Sequence, residues 1–157
     1  MEKTSLLFVC LGNICRSPAA EGIMLHLIDL EGEKYRFFVD SAGVGSWHAG
    51  ELPDHRMRAH GERHGYHFTS RARQIRPDDF ERFDYIFVMD QENYADVTAL
   101  ARNDEQQKKV LRLADYMTRH PGLRTIPDPY YGGDQDFELV IELLEDACAG
   151  LLRWLTE

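Results

Sequence analysis

The chain has 157 residues, 43% of them hydrophobic, which suits one ordinary domain with a proper core and argues against disorder. Its net charge of -9 argues against general binding to nucleic acid or to an anionic membrane surface. The acid is uneven: from Asp128 onward there are eight carboxylates and one basic side chain, Arg153, whereas arginines concentrate between Arg56 and Arg82.

In chain order, Leu6-Leu7-Phe8-Val9 reads as a buried strand. Ser17 is placed to cap the next helix, Pro18 suits its first turn, and Ile23, Met24, Leu27 and Ile28 recur at helical spacing until Gly32. Phe37-Phe38-Val39 is the second strand, leaving through Asp40-Ser41-Ala42-Gly43. Pro53-Asp54 opens a second helix that Gly65 closes, and Pro77 to Phe80 makes a short helical turn. Tyr85 to Met89 is the third strand, Asn93 to Leu100 a helix, and Lys109 to Leu113 the fourth strand. A loop from about Tyr116 to Tyr131 holds Pro121, Pro127 and Pro129. Phe137 to Leu155 is the last helix, with Cys148 on its apolar stripe. This alternation predicts a single α/β domain over 1–157: a three-layer sandwich with a four-stranded parallel sheet and helices on both faces. Ligands of such sheets sit beyond the carboxyl ends of the strands, where Cys10, Ser41 and Asp90 would gather.

The segment from Leu6 to Cys10 is too short for a membrane span, and the Asn, Arg and Pro after it do not make a signal-peptide cleavage site, so a cytoplasmic protein is expected. Three cysteines, Cys10, Cys15 and Cys148, lack a framework spacing and read as reduced thiols. His60, His64 and His67 have spacings seen in metal sites, but they are interrupted by Gly61 and Gly65 and read as exposed helix-face residues; no metal or cofactor is expected.

The run Val9-Cys10-Leu11-Gly12-Asn13-Ile14-Cys15-Arg16-Ser17-Pro18 carries the chemistry. Five residues separate Cys10 from Arg16, so the loop must curl with its amides inward. Gly12 is suited to positive φ, and Asn13 is the next most tolerant type. Inward amides and a helix N-terminus make a site for a tetrahedral oxyanion. Arg16 adds a fork for two equatorial oxygens, and the positive field favours a thiolate at Cys10 to which Ser17 can donate. A nucleotide-binding loop is excluded because the Gly-Lys-Ser/Thr ending is missing. Cys15 is close enough in sequence to condense with an oxidised Cys10.

This loop resembles the signature of the low-molecular-weight protein tyrosine phosphatases. The resemblance continues through Asp40-Ser41-Ala42-Gly43, Trp47, Pro53-Asp54, Ala72-Arg73-Gln74-Ile75, Val88-Met89-Asp90 and Asp128-Pro129-Tyr130-Tyr131-Gly132, essentially the whole chain. It implies a metal-independent phosphatase with a cysteinyl-phosphate intermediate. Cys10 would be the nucleophile, Arg16 the phosphate ligand and Asp128 the general acid and base, with Leu11, Gly12, Asn13, Ile14, Cys15 and Ser17 completing the phosphate loop. Asn13, Ser17 and Ser41 would support that loop, and Trp47, Tyr130 and Tyr131 would contact the substrate ring. Where vertebrate members often carry a His before the Lys/Arg-Ala-Arg-Gln segment, this chain has Ser70. The partners implied are a phosphotyrosine protein or peptide and inorganic phosphate as product, without nucleic acid or membrane, in a monomer or a weak self-associate. Three rivals stand beside this reading: arsenate reduction, which wants a downstream cysteine pair this chain lacks; phosphoarginine hydrolysis, which bulky Ile14 should crowd; and phosphopeptide capture without turnover.

Overall fold

The structure is a computed structural model that describes residues 2–157. Its sheet has four parallel strands, β1 (Thr4–Cys10), β2 (Phe37–Gly43), β3 (Tyr85–Val88) and β4 (Val110–Arg112), in the order β2-β1-β3-β4. The helices are α1 (Arg16–Leu30), α2 (His55–Arg63), α3 (Asp79–Arg82), α4 (Gln91–Thr98), α5 (Asp104–Gln107) and α6 (Asp134–Thr156). The chain runs from β1 to β2 on one side and returns past β1 to β3 on the other. The strand order therefore reverses at β1, and the crevice beyond its carboxyl end is the natural ligand position.

Alternation along the central strand separates two apolar layers. Leu6, Phe8 and Cys10 point to α1, α2 and α6, against Ile23, Met57, Phe137, Val140 and Leu144. Leu7 and Val9 point to the opposite face, against Phe80, Phe83, Val97 and Val110. The expected sandwich is thus the observed one. Among the described residues, no helix is long and apolar enough to cross a membrane.

Several boundaries differ from the sequence reading. Helix α1 starts at Arg16, with Cys15 at its cap position and no side-chain cap. Ser17 does not cap it: its Oγ is drawn into the loop toward Cys10, Asn13 and Ala42. Helix α4 begins at Gln91 because the Asp90 side chain accepts from the Asn93 amide, and α6 begins at Asp134, where Asp136 accepts from the Gly133 amide at 2.8 Å. The fourth strand is only Val110–Arg112 before a 3₁₀ turn at Leu113–Tyr116.

Candidate active site

Cys10 is the last residue of β1, and the loop after it folds over the end of the sheet. The carbonyls of Cys10 and Leu11 accept from the amides of Val44 and Gly45, both at 2.9 Å, so the loop begins as a continuation of the β1–β2 pairing. Close approach is possible because residue 43 is glycine: a Cβ there would stand 2.9 Å from the Gly12 carbonyl carbon. The left-handed turn falls on Asn13, at φ 58, rather than on Gly12, which corrects the sequence expectation. Asn13 holds that conformation with its whole amide. Its Nδ2 donates to Ser17 Oγ at 2.8 Å and Ser41 Oγ at 3.0 Å, and its Oδ1 accepts from the Arg73 amide at 3.0 Å. For an asparagine the left-handed region is a tolerated strain, and three bonds offset it.

Ser17 Oγ lies 3.0 Å from Cys10 Sγ and 3.3 Å from the Ala42 carbonyl. It has one proton to give, and an ionised sulfur is the stronger acceptor. The chain of bonds continues from Ser41 Oγ to Glu21 Oε1 at 2.5 Å. Burial pushes the Glu21 carboxyl up to about 7, the Ser41 bond pulls it down, and Asp40 pushes it up again. Glu21 is a member of the site that the sequence reading missed; Ala19-Ala20-Glu21 on a helix carries no local sign of it.

Arg16 is buried and fixed from three sides. Its Nη1 donates to Asp90 Oδ2 at 2.6 Å and to the Ile126 carbonyl at 2.9 Å, and its Nη2 stands 3.6 Å from Asp128 Oδ2. Burial works against the charge of Arg16, but the charge at Cys10 and the bonded Asp90 outweigh it and hold the guanidinium above its ordinary value. Cys15 is different. Burial first, then Asp54, push its thiol up, so it stays protonated while it lines the same cavity.

That cavity has a volume of about 320 Å³ and is lined by Cys10, Leu11, Gly12, Ile14, Cys15, Arg16, Trp47, His48, Asp128, Tyr130 and Tyr131. It is of the size of a small-ligand site and combines one guanidinium with an aromatic rim. Trp47 and Tyr131 are exposed at 67% and 96%. Asp128 hangs over the opening, with Oδ1 accepting from the Tyr130 amide at 3.1 Å. Tyr130 is braced from behind: Arg56 Nη2 donates to its carbonyl at 3.0 Å, and the guanidinium sits 5.5 Å from its ring and 4.7 Å from that of Phe137. Asp54 holds Arg56 by a two-point bond.

Cys10, Leu11, Gly12, Ile14, Cys15 and Arg16 therefore converge with Trp47, Asp128 and both tyrosines on one cavity, whereas Asn13, Ser17 and Ser41 do not line it and are bonded to one another behind it. Asp90 lies at the site as the carboxylate that anchors Arg16. His48 and Arg56 were not anticipated; His48 adjoins Trp47 in sequence, and nothing local marks Arg56. His60 was expected on an exposed face and is instead buried, its ring nitrogens 2.6 Å from Glu138 and 3.1 Å from Asp134 across the α2–α6 contact. His64 and His67 are exposed as expected, but not on a helix face: α2 ends at Arg63, and both lie past it. Cys148 is fully buried in the core.

Fold and site together define the class: a doubly wound α/β protein with a thiol and a guanidinium lining one small cavity beyond the end of its central strand. The family model described as low molecular weight phosphotyrosine protein phosphatase matches residues 5–157. The chain belongs to that family. A Synechocystis sp. protein assigned to the low molecular weight protein-tyrosine-phosphatases is 51% identical over 150 residues, 96% of this chain and 95% of its own. The crystal structure of a protein tyrosine phosphatase from Entamoeba histolytica with Hepes in its active site superposes with a TM-score of 0.94, at 42% identity, over 98% of this chain and 97% of that one. The Drosophila arginine phosphatase gives a TM-score of 0.89 at 33% identity, covering 97% and 98%.

Proposed function

We propose that this chain hydrolyses phosphotyrosine in proteins or peptides through a cysteinyl-phosphate. The phosphoryl group sits in the loop, its equatorial oxygens held by the curled amides and the Arg16 fork. The Cys10 thiolate attacks phosphorus as the bond to the tyrosine oxygen breaks. Asp128, protonated, gives its proton to that departing oxygen. In the second step the Asp128 carboxylate takes a proton from water, the water oxygen bonds to phosphorus, and the sulfur leaves as thiolate with its hydrogen bond from Ser17. Inorganic phosphate is the product. Trp47 and Tyr130 flank the substrate ring and set the depth that brings its phosphate to Cys10.

The observation that carries the reading is the convergence of Cys10, Arg16 and Asp128 on one cavity. Its rim favours an aromatic substrate. Ile14 lines the cavity, and its branched bulk works against the N-phosphorylated guanidine of phosphoarginine. The test is phosphate release from phosphotyrosine, phosphoserine and phosphoarginine peptides, with Cys10→Ser as control. Release from phosphotyrosine alone, absent in Cys10→Ser, is expected; normal turnover by that variant would reject the scheme, and preferred release from phosphoarginine would reject the substrate.

A further inference from the structure

The cavity opens on two sides into grooves of different electrical character. On the Leu11 side the groove runs past Asp90, Gln91, Glu92, Arg112 and Arg124. There, charges of both signs alternate. Asp90 is spent on Arg16, and Arg112 donates to Gln91 Oε1 at 2.6 Å while its guanidinium sits 4.6 Å over the Tyr94 ring. Arg112 and Arg124 also lack an ion-pair partner among the described residues, but the exposed Glu92, a carboxylate held by no cation, lines the same groove and opposes their charge.

On the other side, a groove of about 510 Å³ continues from the cavity through Ile14, His48 and Tyr130, which line both. Its two carboxylates are occupied: Asp54 by the Arg56 fork, and Glu51 by His48 Nδ1 at 3.1 Å. Its two arginines have no carboxylate partner among the described residues. Arg58 spends its Nε on the Pro53 carbonyl at 2.9 Å, and Arg71 spends Nη1 on the Gly50 carbonyl at 3.1 Å. Each is tethered through one donor, which leaves the rest of a five-donor planar fork open to the groove. In a chain of net charge -9, these two tethered guanidiniums without an ion-pair partner, next to a site proposed to take an anion, put two positive charges against Glu51, the one groove carboxylate that no arginine holds.

We infer that Arg58 and Arg71 form a subsite for an acidic side chain of the substrate peptide close to its phosphotyrosine, an inference that rests on the proposed phosphotyrosine activity. The fork geometry fits a carboxylate by two parallel bonds. Tethering reduces the rotamer freedom lost on binding, which favours these two over a freely solvated arginine. Because the opposite groove is of mixed charge, the preference is one-sided: acid on one flank of the phosphotyrosine is recognised, and acid on the other is not.

The experiment compares three phosphotyrosine peptides of equal length, with acidic residues before the phosphotyrosine, after it, or absent, and p-nitrophenyl phosphate as a substrate without flanks. One acidic peptide is expected to have a KM about fivefold below the neutral one at low salt, with kcat unchanged, and high salt should erase the gap. Arg58→Ala/Arg71→Ala should remove the preference and leave p-nitrophenyl phosphate kinetics intact. Arg71→Glu, a change at an exposed position, should disfavour the same peptide and guards against a folding defect in the double variant. Equal kinetics for all three peptides, or a preference that survives both variants, would overturn the subsite while p-nitrophenyl phosphate turnover kept the catalytic reading. A wild-type protein inert toward p-nitrophenyl phosphate and all three peptides would overturn both.

Discussion

The floor and the rim of the cavity are built on opposite terms. Cys10 and Arg16 on the floor, and Asn13, Ser17 and Ser41 directly behind it, are buried, and every polar side chain among them is hydrogen-bonded within the fold. At the rim, Trp47 and Tyr131 stand largely in solvent and Tyr130 leans on Arg56. Under the proposed function, a floor that meets a phosphoryl group with fixed dipoles needs preorganisation, because reorienting donors during reaction costs energy. A rim that has to admit different peptides gains from exposed aromatic surface that is filled only on binding. On this contrast chemistry and recognition are expected to be separable: damage to the floor should appear in kcat and stability, and damage to the rim in KM.

Asp128 joins the two regions, and its removal should have the largest effect. Asp128→Asn is expected to lower kcat on phosphotyrosine peptide by about 10²–10⁴-fold. The loss should be smaller on p-nitrophenyl phosphate, whose leaving group needs less protonation. Equal losses on both substrates, measured by steady-state kinetics, would remove the acid role.

Next comes the floor. Asn13→Ala loses three hydrogen bonds and leaves a Cβ-bearing residue without help at φ 58. A destabilisation of about 3 kcal/mol is expected, seen as a thermal midpoint lower by about 6–12 °C, together with a fall in kcat. Asn13→Gly, which makes the turn cheap but still lacks the bonds, should recover part of the midpoint and none of the kcat. The rim is the milder case. Trp47→Ala should raise KM for phosphotyrosine peptide by about two- to tenfold through lost ring contact, with kcat and melting unchanged. A variant at Trp47 that lowered kcat as strongly as Asn13→Ala would break the separation.

The last comparison is a pH dependence beneath the floor. Burial, opposed by the Ser41 bond and reinforced by Asp40, lifts the Glu21 carboxyl from 4.5 to about 7. Between those values the folded chain keeps a proton that the unfolded chain has released. The stabilisation associated with Glu21 is therefore complete below about pH 4.5 and is lost as pH rises through about 7. Glu21→Gln, neutral throughout, should match the wild-type melting temperature near pH 4.5 and exceed it above pH 7. A constant difference at all pH values would show that Glu21 does not titrate in this window.

Much of the site could be read from residues 10–18 because the loop is a local device: five residues between a strand end and a helix leave few ways to curl. Asp128 and the tyrosine pair were legible only through resemblance, since an Asp between prolines is ordinarily a turn residue. His60 shows the limit. Its burial depends on Asp134 and Glu138, 74 and 78 positions away, and helix periodicity carries no trace of such partners. Glu21 and Arg56 carry no local sign for the same reason: each acts by touching a segment remote in sequence.

Local patterning by itself determined the alternation of strands and helices, the parallel sheet, and the placing of a thiol and a guanidinium at the two ends of one short loop, because hydrophobic period and short-range chain geometry act over a few residues. Tertiary structure alone decided that Asn13 rather than Gly12 takes the left-handed turn, that Ser17 serves the sulfur instead of the helix end, and that Asp90 and Ile126 clamp Arg16. Those choices are made by hydrogen bonds across 25 to 110 positions of chain, which exist only once the sheet has brought its carboxyl ends together.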